Sequence, residues 1–166
     1  MGGLFIEEKS LFVMSNGNTY LHEACIQGND KLVTYMINRG YYLDSKNNRN
    51  ETALNLACCY GFKTIVMKML EAKCSINRCL EMAVKERQIE IVKLLVQECN
   101  EDPRQRDSNG IFLIEISKRN NTNIITNFLS RNISEREQTE KIKTETYNDE
   151  DSSYANDEED EEEEEK

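Results

Sequence analysis

The sequence contains the stretch Gly17-Asn-Thr-Tyr-Leu-His-Glu-Ala-Cys-Ile-Gln-Gly28, and a similar stretch, Asn50-Glu-Thr-Ala-Leu-Asn-Leu-Ala-Cys-Cys-Tyr-Gly61, lies 33 residues later. Five positions are identical at this offset: Thr19 and Thr52, Leu21 and Leu54, Ala24 and Ala57, Cys25 and Cys58, and Gly28 and Gly61. The register continues downstream, where Leu32-Val33 corresponds to Ile65-Val66 and Met36-Ile37 to Met69-Leu70. A constant period of this length indicates an array of repeated structural units.

Two further copies follow at altered spacing. The third lies 26 residues after the second, with Ile91-Val92 in the place of Ile65-Val66, so seven residues (33 minus 26) are missing from the link before it. The fourth begins at Asp107 and continues into the apolar stripe Ile124-Ile125 and Phe128-Leu129, which implies that one residue is deleted within it. The approximate repeats are 15–47, 48–77, 78–106 and 107–133, and together they form one predicted domain, 15–133.

Each copy has the pattern of two short helices. Apolar residues recur at positions i, i+1, i+4 and i+5, as in Leu32-Val33 and Met36-Ile37, which places them on one helical face. Gly28 lies between the two helical patterns, where glycine permits a chain reversal. Because a single helix pair cannot bury its apolar face, the copies must stack into one continuous core. The sequence therefore predicts an all-α solenoid.

Two motifs resemble those of ankyrin repeats. Thr19-Tyr-Leu-His-Glu-Ala24 is similar to T-P-L-H-x-A, and Asp102-Pro-Arg-Gln-Arg-Asp107-Ser-Asn-Gly110 is similar to the turn D-P-x-x-x-D-x-x-G that leads into a repeat. The resemblance covers about 14–133 and implies an ankyrin-repeat α-solenoid of three to four helix pairs, with hairpin fingers projecting on one side. It also implies protein binding by the fingers and the first helices, with no catalysis and no cofactor.

The family motif is incomplete in this chain. Its proline is replaced by Tyr20 in the first copy and by Ala53 in the second, which removes a residue that is pre-organised to start a helix. Its histidine survives as His22, for which the resemblance implies a structural role as a hydrogen-bonding staple between neighbouring repeats. The shortened link predicts that one finger is missing between the second and third copies, which leaves a notch or a kink in the binding face.

The resemblance also indicates which residues contact a partner, since in ankyrin arrays these lie on the finger tips and at the end of the first helix. The main candidates, which include aromatic residues beside the first interior finger, are Tyr41, Tyr42, Lys46, Asn48, Arg49, Tyr60, Lys85, Glu86, Arg106, Ser108 and Asn109. Further candidates at equivalent positions are Ser15, Asn16, Asn18, Ile26, Gln27 and Glu51. Only a minority of the residues in an interface carries its binding energy. The alternative interpretation is therefore that most of these candidates are ordinary solvated side chains.

The charge of the chain is unevenly distributed. The formal net charge is -10 over 166 residues, and residues 134–166 contain 16 acidic and 4 basic residues, a local net charge of -12. The remaining residues, 1–133, therefore carry +2. Because it has few apolar residues, 134–166 is predicted to be a disordered acidic tail that solubilises the protein, binds a basic protein or folds back on the basic fingers. The apolar residues within 1–14 are expected to form an N-terminal segment that caps the first repeat.

The composition argues against several other classes of protein. The sequence has no phosphate-binding glycine loop, no nucleophile motif and one histidine, so an enzyme is not expected. The cysteines form no C-x-x-C pair, and we expect buried thiols and no metal site. There is no basic stripe for direct binding of nucleic acid, no apolar run that could span a membrane and no secretory signal. We therefore expect a monomer in the cytoplasm, the nucleus or both.

The leading hypothesis is a non-enzymatic interaction module for a protein partner, and the acidic tail favours a basic partner. The sequence is similar to small IκB-like proteins, in which ankyrin repeats and an acidic segment block a transcription factor. It is also similar to ankyrin chaperones whose acidic tails shield basic ribosomal proteins. An adaptor in a ubiquitin-ligase-type assembly is the third alternative.

Overall fold

The computed structural model describes residues 14–153, of which 144–153 are described by their backbone alone. The helices in this range are α1 (Tyr20–Ile26), α2 (Asp30–Asn38), α3 (Ala53–Tyr60), α4 (Lys63–Glu71), α5 (Cys79–Lys85), α6 (Ile89–Lys93), α7 (Leu113–Arg119) and α8 (Asn123–Ser153). Helix α6 continues directly into a π-helical turn, Leu94–Glu98. Among these residues, no helix combines the length and the apolar character needed to span a membrane.

The helices form two layers. Each odd-numbered helix packs against the next, α1 on α3, α3 on α5 and α5 on α7, while α2, α4 and α6 form a second layer in the same order. The equivalent leucines of the first layer, Leu21, Leu54 and Leu80, are all buried, and so are Ile65 and Ile91 of the second layer. The repeated units therefore share one hydrophobic core. The predicted all-α solenoid of helix pairs is confirmed.

The turn between paired helices holds one residue in the left-handed conformation in every copy. Gly28 (φ 66°) and Gly61 (φ 76°) occupy this position in the first two copies. Arg87 and Asn121, with φ of 62° and 55°, occupy it in the third and fourth. A Cβ atom at Gly61 would lie 2.3 Å from Oε1 of Gln88, so this position is restricted by close approach as well as by φ.

Two hairpin fingers are closed by single bridged pairs, Lys46–Thr52 and Arg106–Phe112. Each finger lies in a link of 14 residues, 39–52 and 99–112, that leads to the first helix of the next repeat. The link 72–78 has only seven residues, all of them within the described range, and contains no bridged pair. This confirms the prediction that the finger between the second and third repeats is missing.

The register of the fourth repeat differs from the predicted one. Ile125 is buried, whereas Ile124 is 70% exposed, so Ile125 is the equivalent of Ile65. The offset between these two isoleucines is 60, the same offset that separates the finger residues Asn47 and Asp107. No residue is therefore deleted within the fourth repeat. The irregularity lies in the third repeat instead, where the π-helical turn accommodates one additional residue.

The prediction of disorder for 134–166 is wrong for residues 134–153, which continue helix α8 without a break. The helix contains no proline or glycine and many strong helix formers. Arg131 and Glu135 form an i,i+4 ion pair of 2.8 Å on its surface. The scarcity of apolar residues argues against burial in a core, but it does not argue against a helix, because helix propensity is a property of the backbone and of each side chain.

The chain divides into two units between Leu129 and Ser130, four residues before the predicted boundary between the repeat domain and the tail. The first unit holds the helix pairs, and the second unit holds the rest of helix α8. The predicted capping segment, 1–14, lies outside the described residues apart from Met14, and so does the acidic run within 154–166.

Candidate functional site

His22 joins the first repeat to the second. Its Nδ1 accepts a hydrogen bond from the backbone N–H of Thr19 (3.1 Å), and its Nε2 lies 3.0 Å from the carbonyl oxygen of Glu51. A carbonyl oxygen can only accept, so Nε2 carries the proton. The ring is fully buried, and burial holds the pKa of His22 below its ordinary value. The geometry supports the predicted structural role.

Asn55 makes the same connection one repeat later. Its Oδ1 accepts a hydrogen bond from the backbone N–H of Thr52 (3.1 Å). Its Nδ2 donates to the carbonyl oxygen of Asn77 (2.7 Å), which lies in the shortened link to the third repeat. The amide therefore reproduces both bonds of the imidazole, and the chain keeps its staple although the histidine is absent.

Glu81 occupies the third equivalent position, where an ionic network replaces the neutral staple. Its carboxylate lies 3.2 Å from Arg78 Nε and 2.7 Å from Lys85 Nζ, and Lys85 also lies 3.2 Å from Asp107 in the next finger. Burial raises the pKa of Glu81, but hydrogen bonds from the two cations outweigh it and the pKa is lowered. The backbone N–H of Ile111, followed by Lys85, lowers the pKa of Asp107 to about 2.

Both fingers are shaped by the same local hydrogen bonds. Asn47 Oδ1 accepts from the backbone N–H groups two and four residues later, at 2.9 and 3.0 Å. Asp107 Oδ1 does the same in the other finger, at 2.9 Å in each case. Arg106 lies over the ring of Phe112, with its guanidinium carbon 3.6 Å from the ring centroid. The finger tips are therefore held in defined positions, as a preformed binding face requires.

Most of the predicted contact residues are accessible in the structure. The exposed ones are Tyr42, Lys46, Asn48, Arg49, Tyr60, Glu86, Arg106, Ser108 and Asn109. Tyr41 is half-buried against the core, and Lys85 is half-buried and engaged with Glu81 and Asp107. Two of the further candidates, Asn18 and Glu51, are buried, because both accept hydrogen bonds from the Asn47 side chain at 3.0 Å.

A concavity of about 420 Å³ lies between the finger Lys46–Thr52 and the first helices α3 and α5, and we call it the notch. It is lined by Arg49, Glu51, Leu56, Cys59, Tyr60, Met82, Glu86 and Gln88. The structure thus brings together the predicted residues Arg49, Tyr60 and Glu86. Sequence reasoning missed the less exposed lining, of which Met82 is an example. The repeat offset could have found it, because the offset of 26 pairs Leu56 with Met82 just as it pairs Tyr60 with Glu86.

The charges of the notch are unequally compensated. Arg49 pairs with Glu51 at 3.1 Å. Among the described residues, Glu86 has no ion pair, although it is exposed. Burial, followed by the charges of Glu86 and Glu51, raises the pKa of Cys59 to about 11, so Cys59 is a neutral thiol near pH 7 and a poor nucleophile. The arrangement favours non-covalent binding over covalent chemistry at this position.

All six cysteines are free thiols, and four of them, Cys25, Cys58, Cys74 and Cys79, are buried. Burial raises the pKa of Cys25 and of Cys74 to about 12, which makes them inert packing residues, as predicted for buried thiols. Within residues 14–143, whose side chains are described, no group of three or more histidine, cysteine or acidic side chains is arranged to hold a metal ion.

Comparison with known families agrees with this geometry. Residues 4–79 match the family model for ankyrin repeats (3 copies). No curated protein matches the sequence. Ankyrin repeats are typically non-enzymatic modules for protein–protein interaction. The family match over residues 4–79, the stacked helix pairs and the hairpin fingers lead to one conclusion: the chain carries an array of ankyrin repeats.

Proposed function

We propose that this protein is a non-enzymatic module that holds a segment of one protein partner on the face formed by its fingers and first helices. The notch is the observation that carries the proposal, because it joins a finger to two neighbouring first helices in one concave surface. Tyr60 supplies an exposed aromatic ring there, and tyrosine is enriched among the residues that dominate binding energy.

The charge of the chain supports a basic partner. Residues 134–166 carry a net charge of -12, and Glu86 adds an uncompensated carboxylate at the notch. Opposite charges steer association and disfavour partners of the wrong sign. The partner would therefore contact the repeats with help from the acidic segment 134–166.

The combination of a small ankyrin array with an acidic segment favours an IκB-like inhibitor of a transcription factor. A chaperone that shields a basic protein, for example a ribosomal one, is the alternative that the same charge supports. An adaptor in a ubiquitin-ligase-type assembly is a third possibility, but it has no particular support from the charge. For each of these functions we propose a monomer that acts in the cytoplasm, the nucleus or both. It would bind protein and would not contact nucleic acid or membrane directly.

Affinity capture from a cell lysate with the immobilised full chain tests the binding face. The informative variant is Tyr60→Ala. Tyr35→Ala in α2 is its control, because the Tyr35 side chain is 51% exposed and the Tyr60 side chain 50%, so both substitutions remove an equally accessible ring. We expect a protein that is retained by the wild type and by Tyr35→Ala, and whose retention falls about tenfold with Tyr60→Ala. Equal retention by both variants would place the binding site elsewhere.

The basic character of the partner needs a separate measurement. Substitution of the five residues Glu161 to Glu165 by glutamine removes five negative charges and keeps the chain length. We expect the captured partner to bind this variant more weakly, with a shallower dependence on salt concentration. An unchanged affinity at low salt would mean that the acidic segment takes no part in binding.

A further inference from the structure

The notch borders helix α5, which is the first helix of the repeat that lacks a finger. The finger Lys46–Thr52 contacts Arg78, the residue before helix α5, and the finger Arg106–Phe112 contacts Lys85, the last residue of that helix. Arg78 Nη1 donates to the carbonyl oxygen of Asn50 in one finger (3.3 Å), and Lys85 lies 3.2 Å from Asp107 in the other. No third finger covers the helix, because the link 72–78 is too short to form one. The concavity beside α5 is therefore open to an incoming chain.

The notch is lined by both polar and apolar side chains, and one wall is aromatic. Leu56, Cys59 and Met82 are buried or half-buried and form its apolar part, beside the buried Glu51 and the half-buried Gln88. Tyr60 stacks on Phe62, with ring centroids 6.2 Å apart and an angle of 20° between the planes. Phe62 packs against the core, so the exposed ring of Tyr60 rests on a fixed neighbour. Such a surface suits an apolar stem or a flat group.

The rim of the notch carries one uncompensated charge. The cation Arg49 already pairs with Glu51, and Lys85 already pairs with Glu81. Glu86 lies at the end of α5, where its backbone N–H donates to the Met82 carbonyl oxygen at 3.0 Å, and it has no ion pair among the described residues. A ligand that combines an apolar stem, a flat face and a positive charge would therefore match the notch.

We infer that the notch receives an arginine side chain from the partner segment, with its guanidinium paired to Glu86 and lying against the ring of Tyr60. This assignment rests on the proposed function and names the group that the binding face selects. Arginine fits better than lysine, because its planar guanidinium stacks on aromatic rings and pairs with a carboxylate through two hydrogen bonds. The volume of about 420 Å³ leaves room for the side chain and the backbone on either side of it.

A titration of the ¹⁵N-labelled full chain, followed by NMR, tests the inference. The probe is the blocked peptide acetyl-Gly-Gly-Arg-Gly-Gly-amide, compared with the same peptide carrying citrulline, a neutral isostere, or lysine. We expect saturable shifts of the backbone amides of Tyr60 and Glu86 with the arginine peptide, weaker binding with lysine and none with citrulline. Glu86→Gln should weaken binding at least about threefold, and Glu71→Gln, an exposed glutamate at the end of α4, should leave it unchanged.

The outcomes separate the inference from the proposed function. Absence of shifts at the notch, or equal affinity of wild type and Glu86→Gln, would overturn the inference, and equal affinity for the lysine peptide would overturn the choice of arginine. If the peptide test fails in one of these ways while Tyr60→Ala still lowers retention of the partner about tenfold, the proposed function stands and only the arginine assignment fails. If Tyr60→Ala leaves capture intact, the proposed binding face fails as well.

Discussion

Asn55 takes the place of His22 one repeat later and makes the same two hydrogen bonds. Each side chain accepts from the backbone N–H three residues before it, at 3.1 Å in both repeats, and each lies within hydrogen-bond distance of a carbonyl oxygen of the next repeat. An amide and a neutral imidazole both offer an acceptor atom and an N–H donor, so they are interchangeable at this position. The third repeat departs from the pattern, since Glu81 cannot donate and depends on Arg78 and Lys85 instead.

Asn55→Ala should therefore destabilise the array. The substitution leaves the backbone N–H of Thr52 and the carbonyl oxygen of Asn77 without their partner. We expect the free energy of unfolding to fall by about 1–3 kcal/mol, as for other buried polar groups that lose a hydrogen bond. Urea denaturation measures the change, and Asn38→Ala, at the exposed end of α2, should alter stability by less than about 0.5 kcal/mol. A similar effect of both substitutions would contradict the role of Asn55 as a staple.

His22 should make the stability depend on pH near and below the unfolded histidine pKa of about 6.5. Burial lowers the pKa of His22 in the folded state, so the unfolded chain binds more protons in this range and stability is lost as the pH falls below the unfolded pKa. His22→Asn should fold, because Asn55 makes equivalent bonds, and should flatten the dependence. Urea midpoints across the pH range measure it, and the sequence contains no other histidine to confuse the result. An equally steep dependence in the variant would show that another group is responsible.

The repeat period of the sequence predicted most of the fold, because residues at equivalent positions in successive repeats pack against equivalent neighbours. The burial of Leu21, Leu54 and Leu80 follows from this rule. The π-helical turn could not be predicted, since Leu94, Leu95 and Val96 are all apolar and fit either helical register. The sequence pattern therefore indicated a one-residue deletion in the fourth repeat, whereas the structure has one additional residue in the third.

The candidate site was predictable at its exposed rim but not in its interior. Tyr60 and Glu86 follow from the family pattern, in which the ends of first helices contact a partner. Leu56 is an apolar residue like those of the core, so its sequence does not mark it as part of a binding surface. The burial of Asn18 was also not predictable, because it depends on a hydrogen bond from Asn47 that forms only when two neighbouring repeats come together. Such contacts between repeats leave no mark in the sequence of a single repeat.

Gly61→Ala should be more destabilising than Gly40→Ala. Both glycines have positive φ, 76° and 69°, so an alanine costs about 1–2 kcal/mol at either position. A Cβ at Gly40 meets nothing within 4 Å, whereas one at Gly61 would lie 2.3 Å from Oε1 of Gln88. Displacing Gln88 also breaks its hydrogen bond to the carbonyl oxygen of Cys59 (3.0 Å), which adds about 1 kcal/mol. Thermal or urea unfolding of the two variants gives the difference, and equal losses would mean that Gln88 moves aside without cost.

Deletion of Gln97 should be tolerated, because it removes the additional residue from the π-helical turn. After the deletion, Glu98, Cys99 and Asn100 take the positions that Glu71, Ala72 and Lys73 occupy in the second repeat. Helix α6 could then continue with regular hydrogen bonds, and the buried residues before the deletion would keep their places.

The control for this experiment is deletion of Glu90, an exposed residue of α6 that precedes Ile91 and Val92. This second deletion rotates both buried side chains by one position, away from the core. We expect the Gln97 deletion to remain within about 1 kcal/mol of wild-type stability and the Glu90 deletion to lose several kcal/mol, as when buried side chains are withdrawn from a core. Circular dichroism with urea denaturation distinguishes the two, and unfolding of the Gln97 variant would show that the core of the third repeat depends on the π-helical geometry itself.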